Sequence, residues 1–257
     1  MISLAAGTVL DAGPAATLTA AAAAGYDAAG LRLDPATTTV ADAGALRRQA
    51  ADLGVALLDL EVVRLRPDRS LDDHRRLLDL AEVLGVRFLL TVSEHADRAA
   101  TTADLARLVE AARGATTRIA LEFMRFTQVR GLGDAVATLA AIDAPDAVVL
   151  VDALHLQRAG EGPAVLDAVP PGRIGYLQLC DGPAAAPADL AAEARHHRLP
   201  PGTGELPLAE LLAHAPAGLP LSVEVQSDRL AHELGPAERA RLLLADTHRV
   251  LTTTHAG

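Results

Sequence analysis

Short apolar runs of β-like composition alternate with longer stretches of helical period from one end of the chain to the other. Eight runs read as strands: residues 2–9, 28–33, 55–65, 86–92, 118–124, 147–153, 174–180 and 219–225. The stretches between them carry amphipathic patterns. In 72–85, Leu77, Leu78, Ala81 and Leu84 fall on one helical face, and Gly85 stands where a C-cap belongs. Eight β–α alternations with no linker between them predict a closed parallel barrel, an α/β protein of the (β/α)8 TIM class, with one domain over 1–257. An open doubly wound sheet is the competitor. Its nucleotide-binding form needs a glycine-rich first turn, and Ala6-Gly7-Thr8-Val9 is not one. The segment 182–204 is rich in Ala, Pro, Gly and charge. It is the longest insertion after a strand, so it is expected as a loop with a short helix over the barrel mouth.

Length agrees with this reading, since 257 residues is the usual size of one such barrel. The core must be aliphatic, because the chain has three Phe, two Tyr and no Trp. A formal net charge of −10 speaks against a nucleic-acid partner, which requires a basic surface. No 18-residue apolar run suggests a membrane span. The Ala-rich start lacks a basic leader region, its first Arg being Arg32, so it reads as a first strand and helix rather than a signal peptide. The lone Cys180 allows no intrachain disulfide and fits a reducing cytoplasm. All 23 basic residues are Arg. Without a lysine, Schiff-base aldolase, pyridoxal-phosphate and P-loop chemistries are excluded.

Polar residues break the apolar runs near the ends of the last four strands: Glu122, Asp152, Gln178 and Glu224. An isolated carboxylate in an apolar interior is costly unless it is paired or bound to a metal. Three carboxylates and an amide at equivalent heights on consecutive strands meet that demand jointly. They make an oxygen-rich pocket suited to Mn²⁺ or Mg²⁺, with Co²⁺ also acceptable. Any one of these residues alone would read equally well as a salt-bridged rim residue; the coincidence across four strands is the signal.

The same residues resemble the sugar-phosphate isomerase/epimerase superfamily, the xylose-isomerase-like barrels. The matching pieces are Leu121-Glu122-Phe123, Val151-Asp152-x-x-His155, Tyr176-Leu177-Gln178-Leu179-x-Asp181, Arg198-x-x-Pro201-Gly202-x-Gly204-Glu205 and Val223-Glu224-Val225. They cover strands five to eight well and the first half in outline. The resemblance implies Glu122, Asp152, Gln178 and Glu224 as metal ligands and His155 and Arg198 as substrate contacts. It also implies proton abstraction α to a carbonyl, with an enediolate held at the metal. Glu122 and Glu224 would serve as acid and base, with His155 as a further acid or an oxygen clamp. Many epimerases of the superfamily have His where Gln178 stands, whereas bacterial 3-dehydroshikimate dehydratases look like this chain there. Ketose epimerases often wall the sugar with aromatics; Phe123 and Phe126 are the best placed here.

The first half offers Glu61 and Arg64 as a substrate-facing pair, against a rim salt bridge as the plainer reading. Glu94 and His95 invite the same two readings. Solvation is the expected fate of His196 and His197, and packing that of Cys180. Gly202 and Gly204 suggest a tight turn that carries Arg198 inward. Four functions compete. The first is a metal-dependent isomerase or epimerase of a small sugar or cyclitol. The second is a lyase dehydrating 3-dehydroshikimate or an inosose by the same first step. The third is DNA repair of the endonuclease IV type, disfavoured by acidic charge and scarce strand-end His. The fourth is a degenerate barrel that only binds. The expected partner is a small polar carbonyl compound, and the resemblance suggests a homodimer.

Overall fold

The computed structural model describes residues 1–254. Eight parallel strands close into a barrel in sequence order: β1 (Ile2–Leu4), β2 (Ala28–Arg32), β3 (Ala56–Leu65), β4 (Phe88–Ser93), β5 (Arg118–Glu122), β6 (Val148–Asp152), β7 (Ile174–Leu179) and β8 (Leu221–Val223). Around it run α1 (Pro14–Ala24), α2 (Val40–Asp52), α3 (Leu71–Leu84), α4 (Arg98–Ala111), α5 (Leu132–Ala141), α6 (Ala153–Ala159), α7 (Leu190–His196), α8 (Leu208–His214), α9 (Asp228–Glu233) and α10 (Pro236–Thr254). The predicted barrel class is therefore the observed one.

Local chemistry sets the helix ends. Ser70 and Asp73 form a reciprocal capping box at the start of α3, and Gly85 closes it in the left-handed conformation at φ 73°. Thr39 and Asp42 do the same for α2. The main core lies between strands and helices, where Leu31, Leu60, Leu121, Val151 and Leu179 face Leu77, Leu105, Leu139 and Leu243. A smaller cluster fills the barrel itself, with Phe88 and Tyr176 stacked at 4.9 Å. Alternation along each strand then points Glu122, Asp152, Gln178 and Glu224 to the side opposite the helix layer.

Most strands are a residue or two shorter than the apolar runs suggested, and the first and last depart most. The first was expected over 2–9 but ends at Leu4, and Ala6–Val9 is a 3-10 turn. The Thr8 hydroxyl donates to Val223 O at 2.8 Å and accepts from Val225 N at 2.9 Å, so a side chain replaces the ladder there. The last strand, expected over 219–225, spans only Leu221–Val223; Pro220 has no N–H to give a ladder. The 182–204 insertion carries the short helix expected of it, α7, and is tied down by antiparallel bridges from Asp181 to Leu199 and from His197 to Ser227. No helix among the described residues is long and apolar enough to cross a membrane.

Candidate active site and metal centre

Glu122, Asp152 and Glu224 are buried, and each offers a carboxylate oxygen within 4.8 Å of the others. Glu122 is the last residue of β5, Asp152 the last of β6, and Glu224 follows β8. Asp152 also caps α6, its Oδ1 accepting from His155 N at 2.9 Å. Gln178 lies in ladder register with Asp152. It has no exposure, and neither its Oε1 nor its Nε2 has a partner. An unpaired buried amide costs about 1–3 kcal/mol, and clustered carboxylates repel. A divalent cation would offset the carboxylate repulsion and could take the Gln178 oxygen, and oxygen donors of this kind are those a hard ion prefers. The residues present fit a metal.

Arg198 shares this pocket of charge. Its Nη1 donates to Asp152 Oδ2 at 2.6 Å and to Glu224 O at 3.2 Å. Its Nη2 lies 3.1 Å from Glu224 Oε2, and its Nε donates to Ala194 O at 2.7 Å. Burial drives the Glu122 carboxyl well above the usual range, reinforced by Glu224 and Asp152. Burial raises Glu224 to about 7 against the pull of Arg198. At Asp152 burial also pushes upward, but Arg198, His155 and the α6 amide outweigh it and hold the carboxyl below its ordinary value. His155 is brought down to about 4 by burial and stands neutral, its Nε2 3.8 Å from Glu122 Oε1.

A cavity of about 280 Å³ opens over these groups. Glu122, His155, Arg198 and Glu224 line it, together with Arg32, Arg64, Arg195 and Phe126. Of the first-half expectations, Arg64 reaches the wall, where it pairs with Glu94 at 2.5 Å. Glu61 sits fully buried behind the wall, bonded to Arg32 Nη2 at 2.5 Å. His95 turns away to Asp104 at 2.7 Å. His196 is exposed on the rim beside Asp228, and His197 is also exposed, its backbone bridged to Ser227. Cys180 is buried, 3.3 Å from Arg198 Nη1. Phe126 lines the cavity, its ring edge-on to His155. Phe123 does not: it has no exposure and belongs to the core between strands and helices, because its position after Glu122 has the opposite parity.

The loop that delivers Arg198 hangs on Asp181. Its Oδ1 accepts from Gly182 N and Leu206 N, and its Oδ2 from Gly202 N, all at 2.8–2.9 Å. Gly204 packs so closely that a Cβ there would lie 2.4 Å from Asp181 Oδ1, so only glycine fits. Sequence reasoning passed over two charged residues nearby. Arg32 stands next to last in the second apolar run, a polar break like those on strands five to eight. Asp59 shares the alternation parity of Glu61; it is fully buried and accepts from the Tyr176 hydroxyl at 2.8 Å.

The 3-dehydroshikimate dehydratase of Pseudomonas putida is 29% identical over 228 residues, which is 82% of this chain and 36% of that protein. A solved xylose isomerase-like TIM barrel/4-hydroxyphenylpyruvate dioxygenase fusion protein superposes with a TM-score of 0.84 at 26% identity, over 98% of this chain and 43% of its own. The chain thus spans between about a third and under half the length of these two relatives. D-allulose 3-epimerase from Methylomonas sp., solved with D-allulose, shares the fold at a TM-score of 0.74 and 18% identity over 96% of both chains. So does an IOLI protein holding a zinc atom, at 0.81 and 16% over 98% of both. The model of the xylose isomerase-like TIM barrel family matches residues 18–247, and the chain belongs to that family.

Proposed function

We propose that the protein is a divalent-metal-dependent lyase that removes water from a hydroxylated keto acid of the 3-dehydroshikimate type. The observation that carries the metal is Gln178, buried in register with Asp152 with both polar atoms unpartnered. Glu122, Asp152, Gln178 and Glu224 would hold Mn²⁺, Mg²⁺ or Co²⁺, which supplies Lewis-acid polarisation of a substrate carbonyl. The rest is the work of the side chains. His155 is neutral and buried beside Glu122, so it can take the proton from the carbon next to the carbonyl. The same proton, returned to the β-hydroxyl, lets that oxygen leave as water. Arg198 stabilises the carboxylates it touches and fixes the wall beside them. Arg32, Arg64 and Arg195 line the cavity and offer guanidinium donors suited to an acid more than to a neutral sugar. The dehydratase relative supports the same choice.

A second reading, a sugar or cyclitol epimerase, is favoured by the closeness of Glu122 and Glu224, two carboxyls able to act on one carbon. Mass spectrometry in deuterated water separates the two. The Mn²⁺-loaded protein is given 3-dehydroshikimate, D-allulose and an inosose, with a chelated sample alongside. Loss of water from the keto acid, abolished by chelation and by Gln178→Leu, is the expected result. Gln178→Leu should also weaken Mn²⁺ binding by about 10- to 100-fold or more, since even outer-shell partners carry that much. One deuteron gained by a sugar without loss of water would replace the lyase by the epimerase. Turnover that survives chelation would sink both.

A further inference from the structure

We propose that Arg32 is the residue that reads the carboxylate of the substrate, from the side of the barrel opposite Asp152. The inference rests on the lyase reading and specifies how its acid substrate is recognised. In an eight-stranded barrel β2 stands across from β6, so Arg32 at the end of β2 faces the side that carries Asp152. Its side chain is one-third exposed. It lines the main cavity and also an adjoining one of about 210 Å³, which shares Val62 and Arg64 with the first.

The other arginines of the wall are otherwise engaged. Arg198 has all three guanidinium nitrogens bonded within the protein. Arg64 is held by Glu94, and Arg195 is exposed on α7. Arg32 differs from Arg64 in its anchor: its Nη2 is gripped by Glu61, which has no exposure, whereas the Glu94 that holds Arg64 is about one-third exposed. Glu61 is wholly buried, so it holds the guanidinium from the protein side of the wall. The Nε of Arg32 is buried without a partner. A planar fork anchored at one corner, with donors to spare, matches a carboxylate in a way a mobile surface arginine does not. Glu224 and Glu122 both act on the Arg32 charge, so the cation lies within electrostatic reach of the metal-binding groups. A small ring can therefore place its oxygens at the carboxylate cluster and its acid group at Arg32.

Loss of one water from 3-dehydroshikimate gives 3,4-dihydroxybenzoate after aromatisation. Catechol is the same diol without the acid. The test is calorimetric binding of these two diols to the Mn²⁺-loaded protein. A charge-assisted hydrogen bond of about 1.5–3 kcal/mol corresponds to roughly 10- to 100-fold in affinity. The expected result is a preference of that size for 3,4-dihydroxybenzoate in the unaltered protein. Arg32→Ala and Arg32→Gln should abolish it, with catechol binding kept as proof of an intact site, and Arg64→Ala should retain it. A preference that survives both Arg32 variants, or that vanishes with Arg64→Ala instead, overturns the assignment. Equal binding of the two diols by the unaltered protein overturns it while leaving the diol seat of the lyase reading standing. Binding of neither overturns the lyase reading and this inference together.

Discussion

Arg198 Nη1 lies 2.6 Å from Asp152 Oδ2, and both side chains are almost wholly buried. The arginine is the built-in counter-charge of the site, present whether or not a metal is bound. Removing one member of a buried pair leaves an uncompensated charge and costs about 3–5 kcal/mol. Arg198→Met should destabilise the metal-free protein by that order, because Asp152 and Glu224 lose their partner while Glu122 stays near. A divalent ion opposes the same repulsion. The rise in melting temperature on adding Mn²⁺ should therefore be larger in Arg198→Met than in the unaltered protein. An equal or smaller rise would show that Arg198 does not share the charge balance of the metal site.

Asp59 gives a pH dependence of its own. Burial raises its carboxyl from 3.8 to about 8, helped by Glu61 and opposed by the Tyr176 hydrogen bond. Between those two values the folded protein keeps a proton that the unfolded chain has lost. Stability from this group is thus complete below the lower value and is lost as pH rises through the upper one. Gly30 makes the site possible, since a Cβ there would lie 2.2 Å from Asp59 Oδ1. Asp59→Asn keeps the shape and an oxygen for Tyr176 but cannot ionise. Relative to the unaltered protein it should gain stability steadily from pH 4 to 8 and level off above, by a few kcal/mol in all, roughly. Urea titrations across pH on chelated protein read this directly. Parallel stability curves would mean that Asp59 ionises freely in the fold.

The sequence exposed the second half of the site better than the first for a physical reason. Glu122, Asp152 and Glu224 each interrupt an otherwise apolar strand end, and a charge in that setting must be answered locally. Gln178 interrupts its apolar strand in the same way, and the ladder sets it beside Asp152. Arg32 and Asp59 were harder to see. The ladder slips between Ala29 and Leu31 on β2 and between Leu60 and Val63 on β3, so strand-end counting loses its frame there. Phe123 misled as a sugar wall because hydrophobic pattern alone marks a large ring without saying which layer it enters; its parity relative to Glu122 does. The commitment of Arg198 to Asp152 is a long-range contact across a loop, and no spacing along the chain encodes it.

That loop is held by a second buried pair. Arg158 Nε donates to Glu193 Oε2 at 2.7 Å, and its Nη2 donates to Glu193 Oε1 at 2.6 Å and to Pro183 O at 2.7 Å. The pair joins α6, which starts right after Asp152, to α7, which ends two residues before Arg198. It therefore spans the two elements whose spacing sets the Arg198–Asp152 contact. Arg158→Met strands the Glu193 carboxylate, and Glu193→Met strands the guanidinium, so each should loosen α7 and open 182–198 to proteolysis. Mn²⁺ affinity should rise with it, because Arg198 loses its fixed place over the carboxylates and competes less with the ion for them. The double substitution removes both buried charges at once, and apolar replacement of a buried pair is often neutral. It should recover protease resistance that neither single variant has. If the double variant is as susceptible as the singles, the contact matters for its hydrogen bonds to the loop backbone rather than for charge. If Mn²⁺ affinity is unchanged in the singles, the clasp does not position Arg198.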